Sequence, residues 1–139
     1  MDKKELAVSY FANGYNCAQA VVLAFCEELG ITETQAAIMS EGFGGGMGRT
    51  RSVCGAVSGM VMVASLKYSK GVAGDMDTRM KIYSKIKEMF ADFETLFQTK
   101  ICAELITQRD TSAGPGGHQK NCVECVACAA EIAEKYLFS

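Results

Sequence analysis

Cys54-Gly55-Ala56-Val57-Ser58-Gly59 opens an apolar run that extends to about Tyr68. Gly55 and Gly59 are four residues apart and share one face of a helix. With Ala56 and Ser58 beside them, that face carries little bulk, so another backbone can approach it closely. Cys54 then stands where two or more helices converge, within reach of thiols from its neighbours. The same string also reads as a glycine-rich packing seam with an incidental cysteine, and the six residues alone do not separate these two meanings. Either way it predicts helices packed on helices. The apolar stretch Val53 to Leu66 is interrupted by Gly55, Ser58 and Gly59. It is too short for a membrane span of ~20 residues.

The flanking sequence continues in helical period. Lys3 to Asn13 places Leu6, Ala7, Tyr10 and Phe11 on one face and stops at Gly14. Asn16 caps a second helix running to Leu29 and closed by Gly30. Thr32 and Gln35 have the capping-box spacing for a third, ending near Glu41. Gly42-Phe43-Gly44-Gly45-Gly46-Met47-Gly48-Arg49 then predicts an irregular loop. After the run from Val53, Gly71 and Gly74 break the chain. Asp75 or Asp77 caps a long helix whose Met76, Met80, Tyr83, Ile86, Phe90, Phe93 and Phe97 recur at three- and four-residue steps, the pattern of a core-facing stripe. Thr99 caps a short helix, Lys100 to Ile106. Thr107 to Gln119, with Gly114-Pro115-Gly116-Gly117, reads as a flexible crossing, and the last helix runs from Cys122 to about Leu137. No strand-like alternation and no internal repeat occur. The expected fold is an all-α, single-domain bundle over residues 1–139, with about six or seven helices.

The chain has 139 residues, 49% of them hydrophobic, and a formal charge of −2. No basic patch stands out, so nucleic acid is not an expected partner. Met1-Asp2-Lys3-Lys4-Glu5 leads into a polar amphipathic segment rather than a signal peptide, and the expected location is the cytoplasm. In a reducing compartment, the seven cysteines read as catalytic, metal-binding or buried free thiols rather than a disulfide framework.

Four of them, Cys17, Cys54, Cys102 and Cys122, fall in the first turn of a predicted helix. Unpaired N–H groups and the positive end of the helix dipole stabilise thiolate there, so their pKa should drop from ~8.5 toward neutral. Cys26, nine residues after Cys17, faces the other way and sits late in its helix, as a packing residue would. Cys122-Val123-Glu124-Cys125-Val126-Ala127-Cys128 has iron–sulfur spacing but lies in a strong helix former with no C-P to complete the pattern. On that helix Cys122 and Cys125 share a face, as a C-x-x-C redox pair would, and Cys128 is rotated away. The glycine loop lacks the nucleotide P-loop pattern. Its N–H groups, with Arg49 and Arg51, could hold an anion or lower the Cys54 pKa, while the plainer reading is a flexible connector. His118, the only histidine, is a candidate thiol base or metal ligand, with an exposed loop residue as the plainer reading.

Taken in order, Gly14-Tyr15-Asn16-Cys17-Ala18-Gln19-Ala20, Gly44-Gly45-Gly46-Met47-Gly48 leading into Cys54-Gly55-Ala56-Val57-Ser58-Gly59, Cys102-Ala103-Glu104-Leu105, and Cys122 with Val126, Ala129 and Ala130 resemble the CGAxxG-motif redox-active proteins, labelled C_GCAxxG_C_C. The resemblance covers nearly the whole chain. It implies a redox role carried by four cysteines, which map onto Cys17, Cys54, Cys102 and Cys122. Cys26, Cys125 and Cys128 are additions to that pattern.

Two functional readings follow. In the first, clustered thiols exchange disulfides or transfer electrons, with Cys54 central, Cys17 as its partner, and a redox protein or a small thiol or disulfide as substrate. In the alternative, Cys17, Cys54, Cys102 and Cys122 bind zinc or an iron–sulfur cluster. A helical interaction module with merely packed cysteines ranks third. A homodimer is left open.

Overall fold

The second helix explains the architecture. Ala18 to Ala24 is buried residue by residue, and a helix that is apolar all round belongs in the centre of a protein. The computed structural model describes residues 1–107 and 112–139. Its helices are α1 (Lys3–Ala12), α2 (Cys17–Ala24), α3 (Cys26–Leu29), α4 (Glu33–Ser40), α5 (Gly44–Met47, an irregular turn in which Gly45 and Gly46 are left-handed), α6 (Gly55–Tyr68), α7 (Met76–Phe97), α8 (Cys102–Leu105) and α9 (Lys120–Leu137). Single 3-10 turns cover Glu41–Phe43 and Pro115–Gly117. Among the described residues the only extended pairings are isolated bridges, Val53 with Ile101 and Ala113 with Gln119. The protein is all-α, as its sequence predicts. No described helix is long and apolar enough to cross a membrane.

α2 packs along α6 and under α1 and α4, α9 lies across α1 and α6, and α7 closes one side against α6 and α9. Small residues let these axes approach. Ala18, Ala20, Ala56, Ala129, Ala130 and Ala133 are fully buried, and a Cβ added to Gly59 would meet Val21 Cβ at 2.9 Å and Ala18 O at 3.1 Å. The face read in Gly55 and Gly59 is therefore a close helix–helix seam.

Side-chain caps set the starts of α1, α2, α4 and α7. Asn16 and Thr32 both form complete capping boxes, with Gln19 and Gln35, and Asp75 accepts from the Thr78 amide at 3.2 Å. Several boundaries differ from the sequence reading. The helix expected from Asn16 to Leu29 breaks at Phe25 (φ −112°, ψ 5°), whose buried ring stacks on Phe138. The short helix begins at Cys102 after Ile101; Thr99 instead accepts the Ile101 amide. The last helix starts at Lys120, so Asn121 is no cap but a buried residue donating to Leu105 O at 2.7 Å.

The stripe on α7 also drifts. Ile82, Met89, Phe93 and Phe97 are buried and Ile86 and Phe90 half-buried, while Met76, Met80 and Tyr83 stay about half exposed. The N-terminal turns of α7 extend past the helices that would cover them. Of the crossing expected over Thr107 to Gln119, residues 108–111 lie outside the described residues. The remainder is a tight turn closed by Gly114 N–H to His118 O at 2.6 Å.

Candidate functional site

The four helix-start cysteines lie where four helices begin. Cys17 is the first residue of α2, Cys54 caps α6, Cys102 opens α8, and Cys122 is in the first turn of α9. Backbone pairing brings two of these starts together: Cys54 N–H donates to Lys100 O (2.8 Å) and Cys102 N–H to Ser52 O (2.6 Å). Cys17 is pressed against the start of α6, where a Cβ on Gly55 would collide with its sulfur and meet Phe43 O at 2.9 Å. The four cysteines and Cys125 line one cavity of about 690 Å³, shared with Arg49, Arg51, Glu41 and His118. All seven cysteines are free thiols.

Cys125 is the functional candidate that the four-cysteine pattern leaves out. It lies one helical turn after Cys122, and the shared face read in Cys122 and Cys125 was the signal for it. Its thiol lines the cavity together with Cys54, and a hydrogen-bonding influence between the two sulfurs acts on both. It is the largest effect holding the Cys54 thiol below its ordinary value, and the amides of Ala56 and Val57 add to it against the opposing effect of burial. The same influence, with burial next, pushes Cys125 upward.

The expectation of four lowered thiols is corrected. Burial first, and the nearby Cys54 sulfur second, raise Cys17, although the amides of Gly45 and Ala18 pull the other way. Cys122 is pushed up to about 11 by burial and then by the Cys54, Cys17 and Cys102 sulfurs. A helix start supplies donors, but it does not outweigh desolvation when several sulfurs crowd one cavity.

The glycine loop is built rather than slack. Gly48, Arg49, Thr50, Arg51 and Ser52 all donate their amides to carbonyls of Gly42, Gly44, Met47, Gly45 and Gly46. Those five N–H groups are therefore not available to an anion, and the loop is not a flexible connector. Gly46 is required where it stands: φ is +69°, and a Cβ would meet Cys102 Cβ at 2.6 Å and the Arg51 and Ser52 backbone at 2.8 Å. Arg51 acts on sulfurs other than Cys54. Its Nη1 donates to Cys102 Sγ at 3.7 Å, and it moderates the rise at Cys122.

His118 lies on the cavity wall, its ring stacked on Phe11 at 3.6 Å and its Nε2 2.9 Å from Phe11 O. Cys122 Sγ is directed to Gln119 Oε1 at 3.9 Å. Cys26 and Cys128 are outside the cavity lining, as their helix faces predict. Among the described residues, no group of three or more His, Cys, Asp or Glu side chains is placed to hold a metal ion.

Comparison with known proteins gives one family. The model described as putative redox-active protein (C_GCAxxG_C_C) matches residues 15–136. A protein of Archaeoglobus fulgidus, called "Uncharacterized protein", is 29% identical over 125 residues, which is 84% of this chain and 81% of its own. No solved structure matches.

Proposed function

We propose that this chain, which belongs to the C_GCAxxG_C_C family, is a thiol–disulfide exchange protein whose nucleophile is the Cys54 thiolate. The observation that supports this reading best is the single cavity lined by Cys17, Cys54, Cys102, Cys122 and Cys125, in which the Cys125 thiol and helix-start amides hold the Cys54 thiol below its ordinary value. Thiolate is the attacking form, and a neighbouring thiol is what resolves the mixed disulfide.

The exchange balances as follows. Cys54–S⁻ attacks one sulfur of a disulfide R–S–S–R′, forming Cys54–S–S–R and releasing R′–S⁻, which takes the Cys125 proton. Cys125–S⁻ then attacks the Cys54 sulfur and releases R–S⁻. Two cysteines lose two electrons and the substrate gains them. Cys17, Cys102 and Cys122 line the same cavity and stand as further acceptors for the mixed disulfide. A zinc or iron–sulfur site on Cys17, Cys54, Cys102 and Cys122 has less support, because the described residues hold no metal-ready group.

The test is native, anaerobically reduced protein treated with one equivalent of a small disulfide and followed by intact and peptide mass spectrometry. Loss of two hydrogens, mapped to a Cys54–Cys125 bond and abolished by Cys54→Ser, is expected. Thiols that react only after denaturation, or native protein that carries the mass of a metal, would overturn the reading.

A further inference from the structure

We infer that Arg49 and Arg51 make the cavity selective for small disulfides that carry carboxylates. The inference rests on the exchange reading and names its substrate class.

The first support is backbone geometry. Met47, Arg49 and Arg51 have φ of 67°, 62° and 64°. Left-handed conformations are unfavourable for side chains with a Cβ, and a run of them in a loop this heavily hydrogen-bonded is held in place by its surroundings. The consequence is that both arginines line the sulfur cavity. Gly45 is the point between them: a Cβ there would meet Arg49 Cγ at 2.6 Å and Arg51 Nη1 at 3.8 Å. Gly45 lines the cavity together with Cys17, and its amide pulls that thiol downward. The Arg51 guanidinium reaches the thiols directly, at Cys102, and the Arg49 side chain starts on the other side of Gly45.

The second support is charge. Ion pairs among the described residues join Lys3 to Glu28, Lys4 to Glu131, Lys100 to Glu94 and Lys135 to Asp92. Among the described residues neither Arg49 nor Arg51 has an ion-pair partner. Arg51 directs one nitrogen to Cys102, and a guanidinium has about five N–H donors, enough to keep a fork for a carboxylate. Among the described residues lining the cavity, two arginines face one carboxylate residue, Glu41. The third support is size. About 690 Å³ falls in the range of small-molecule sites, ~300–1,000 Å³.

The test uses native reduced protein and three small symmetric disulfides: 3,3′-dithiodipropionate (anionic), bis(2-hydroxyethyl) disulfide (neutral) and cystamine (cationic). Each exchange rate is divided by the rate of the same probe with 2-mercaptoethanol, which removes intrinsic reactivity. The natural chain should favour the anionic over the cationic probe by about ten-fold or more. In Arg49→Gln/Arg51→Gln the ratio should collapse toward one, and in Arg49→Lys/Arg51→Lys it should be largely kept. A ratio near one in the natural chain, or one unchanged in the glutamine variant, overturns the inference. Should the glutamine variant not fold, salt supplies the second measurement: the natural chain's ratio should shrink between about 0.02 M and about 0.5 M salt, and a salt-independent ratio overturns the inference. Exchange with the neutral probe tests the underlying reading separately. If no probe, neutral included, oxidises the native protein, exchange itself fails.

Discussion

Cys26 and Cys54 are both nearly closed to solvent, 9% and 7% exposed, with Cys54 much the deeper of the two, yet their surroundings drive them in opposite directions. Cys26, where α2 gives way to α3, is raised by burial and then by Glu33. Cys54, at the start of α6, is lowered by the Cys125 hydrogen bond and the Ala56 and Val57 amides. Burial is common to both, so it does not set reactivity. Position at a helix start does not set it either, since Cys26 opens α3 and Cys17 opens α2, and both are raised. Backbone amides lower all three, so what separates Cys54 is the neighbouring Cys125 thiol.

The hardest test of that contrast is to remove each sulfur. Cys54→Ser should lower the rate of disulfide exchange by at least about a hundred-fold, because serine is not ionised at neutral pH. Cys26→Ser should stay within about two-fold of the natural chain, since Cys26 is outside the cavity. Stopped-flow with a neutral disulfide measures both. Equal losses in the two variants would erase the distinction.

The glycines beside the two cysteines extend it from chemistry to packing. Gly55→Ala puts a Cβ against Cys17 Sγ and Phe43 O, and overpacking of this kind costs about 3 kcal/mol. Gly30 closes the helix of Cys26 at φ +70° with nothing within 4 Å of an added Cβ. There the cost is conformational alone, about 1 kcal/mol. Urea midpoints at unchanged slope report the difference. Equal costs would mean that the start of α6 is looser than its contacts indicate.

How much of this was legible before the structure follows from the range of each interaction. Asn16, Thr32 and Asp75 announce helix starts because a cap is made within three residues. The Gly55/Gly59 seam was legible because period 3.6 is local. The convergence of sulfurs was legible as placement at four helix starts, but its energetics were not. Whether Cys17 or Cys54 is the acidic thiol depends on Cys125 and Gly45 arriving from distant parts of the chain. The loop at Gly42 to Ser52 misled for the opposite reason. Its glycines look slack in sequence, and only the amide-to-carbonyl pairing within it, with three non-glycine residues at positive φ, reveals a fixed structure. The drift of the α7 stripe arises because periodicity tells which residues share a face, not how far the neighbouring helices extend to cover it.

Alkylation sharpens the contrast at a smaller scale. In native protein, Cys54 should react with iodoacetamide along a pH profile centred below the usual thiol value of ~8.5, and Cys26 along one centred above it. Because thiolate is the reacting form, the ratio of the two rates should be largest near neutral pH, about ten-fold or more, and shrink as pH rises. Peptide mass spectrometry resolves the two sites. A Cys26 that leads at pH 7 would reverse the assignment.

The smallest expected effect is on stability, and its sign differs between the two residues. Cys54 has a lowered folded pKa, so the folded protein gives up its proton first. Its contribution is absent at low pH, grows as pH rises through the folded value, and is complete above the unfolded value of ~8.5. Cys26 is raised, so its contribution is complete below ~8.5 and is lost as pH rises through its folded value. Cys54→Ser should therefore flatten the stability profile on the acid side of ~8.5, and Cys26→Ser on the alkaline side. Urea unfolding of reduced protein between about pH 6 and about pH 10, with each variant subtracted from the natural chain, gives the two difference curves. They should bend on opposite sides of the ordinary thiol value. Two curves bending on the same side would mean that the donors around Cys54 do not outweigh its burial, and the nucleophile would then have to be sought among the cavity's other sulfurs.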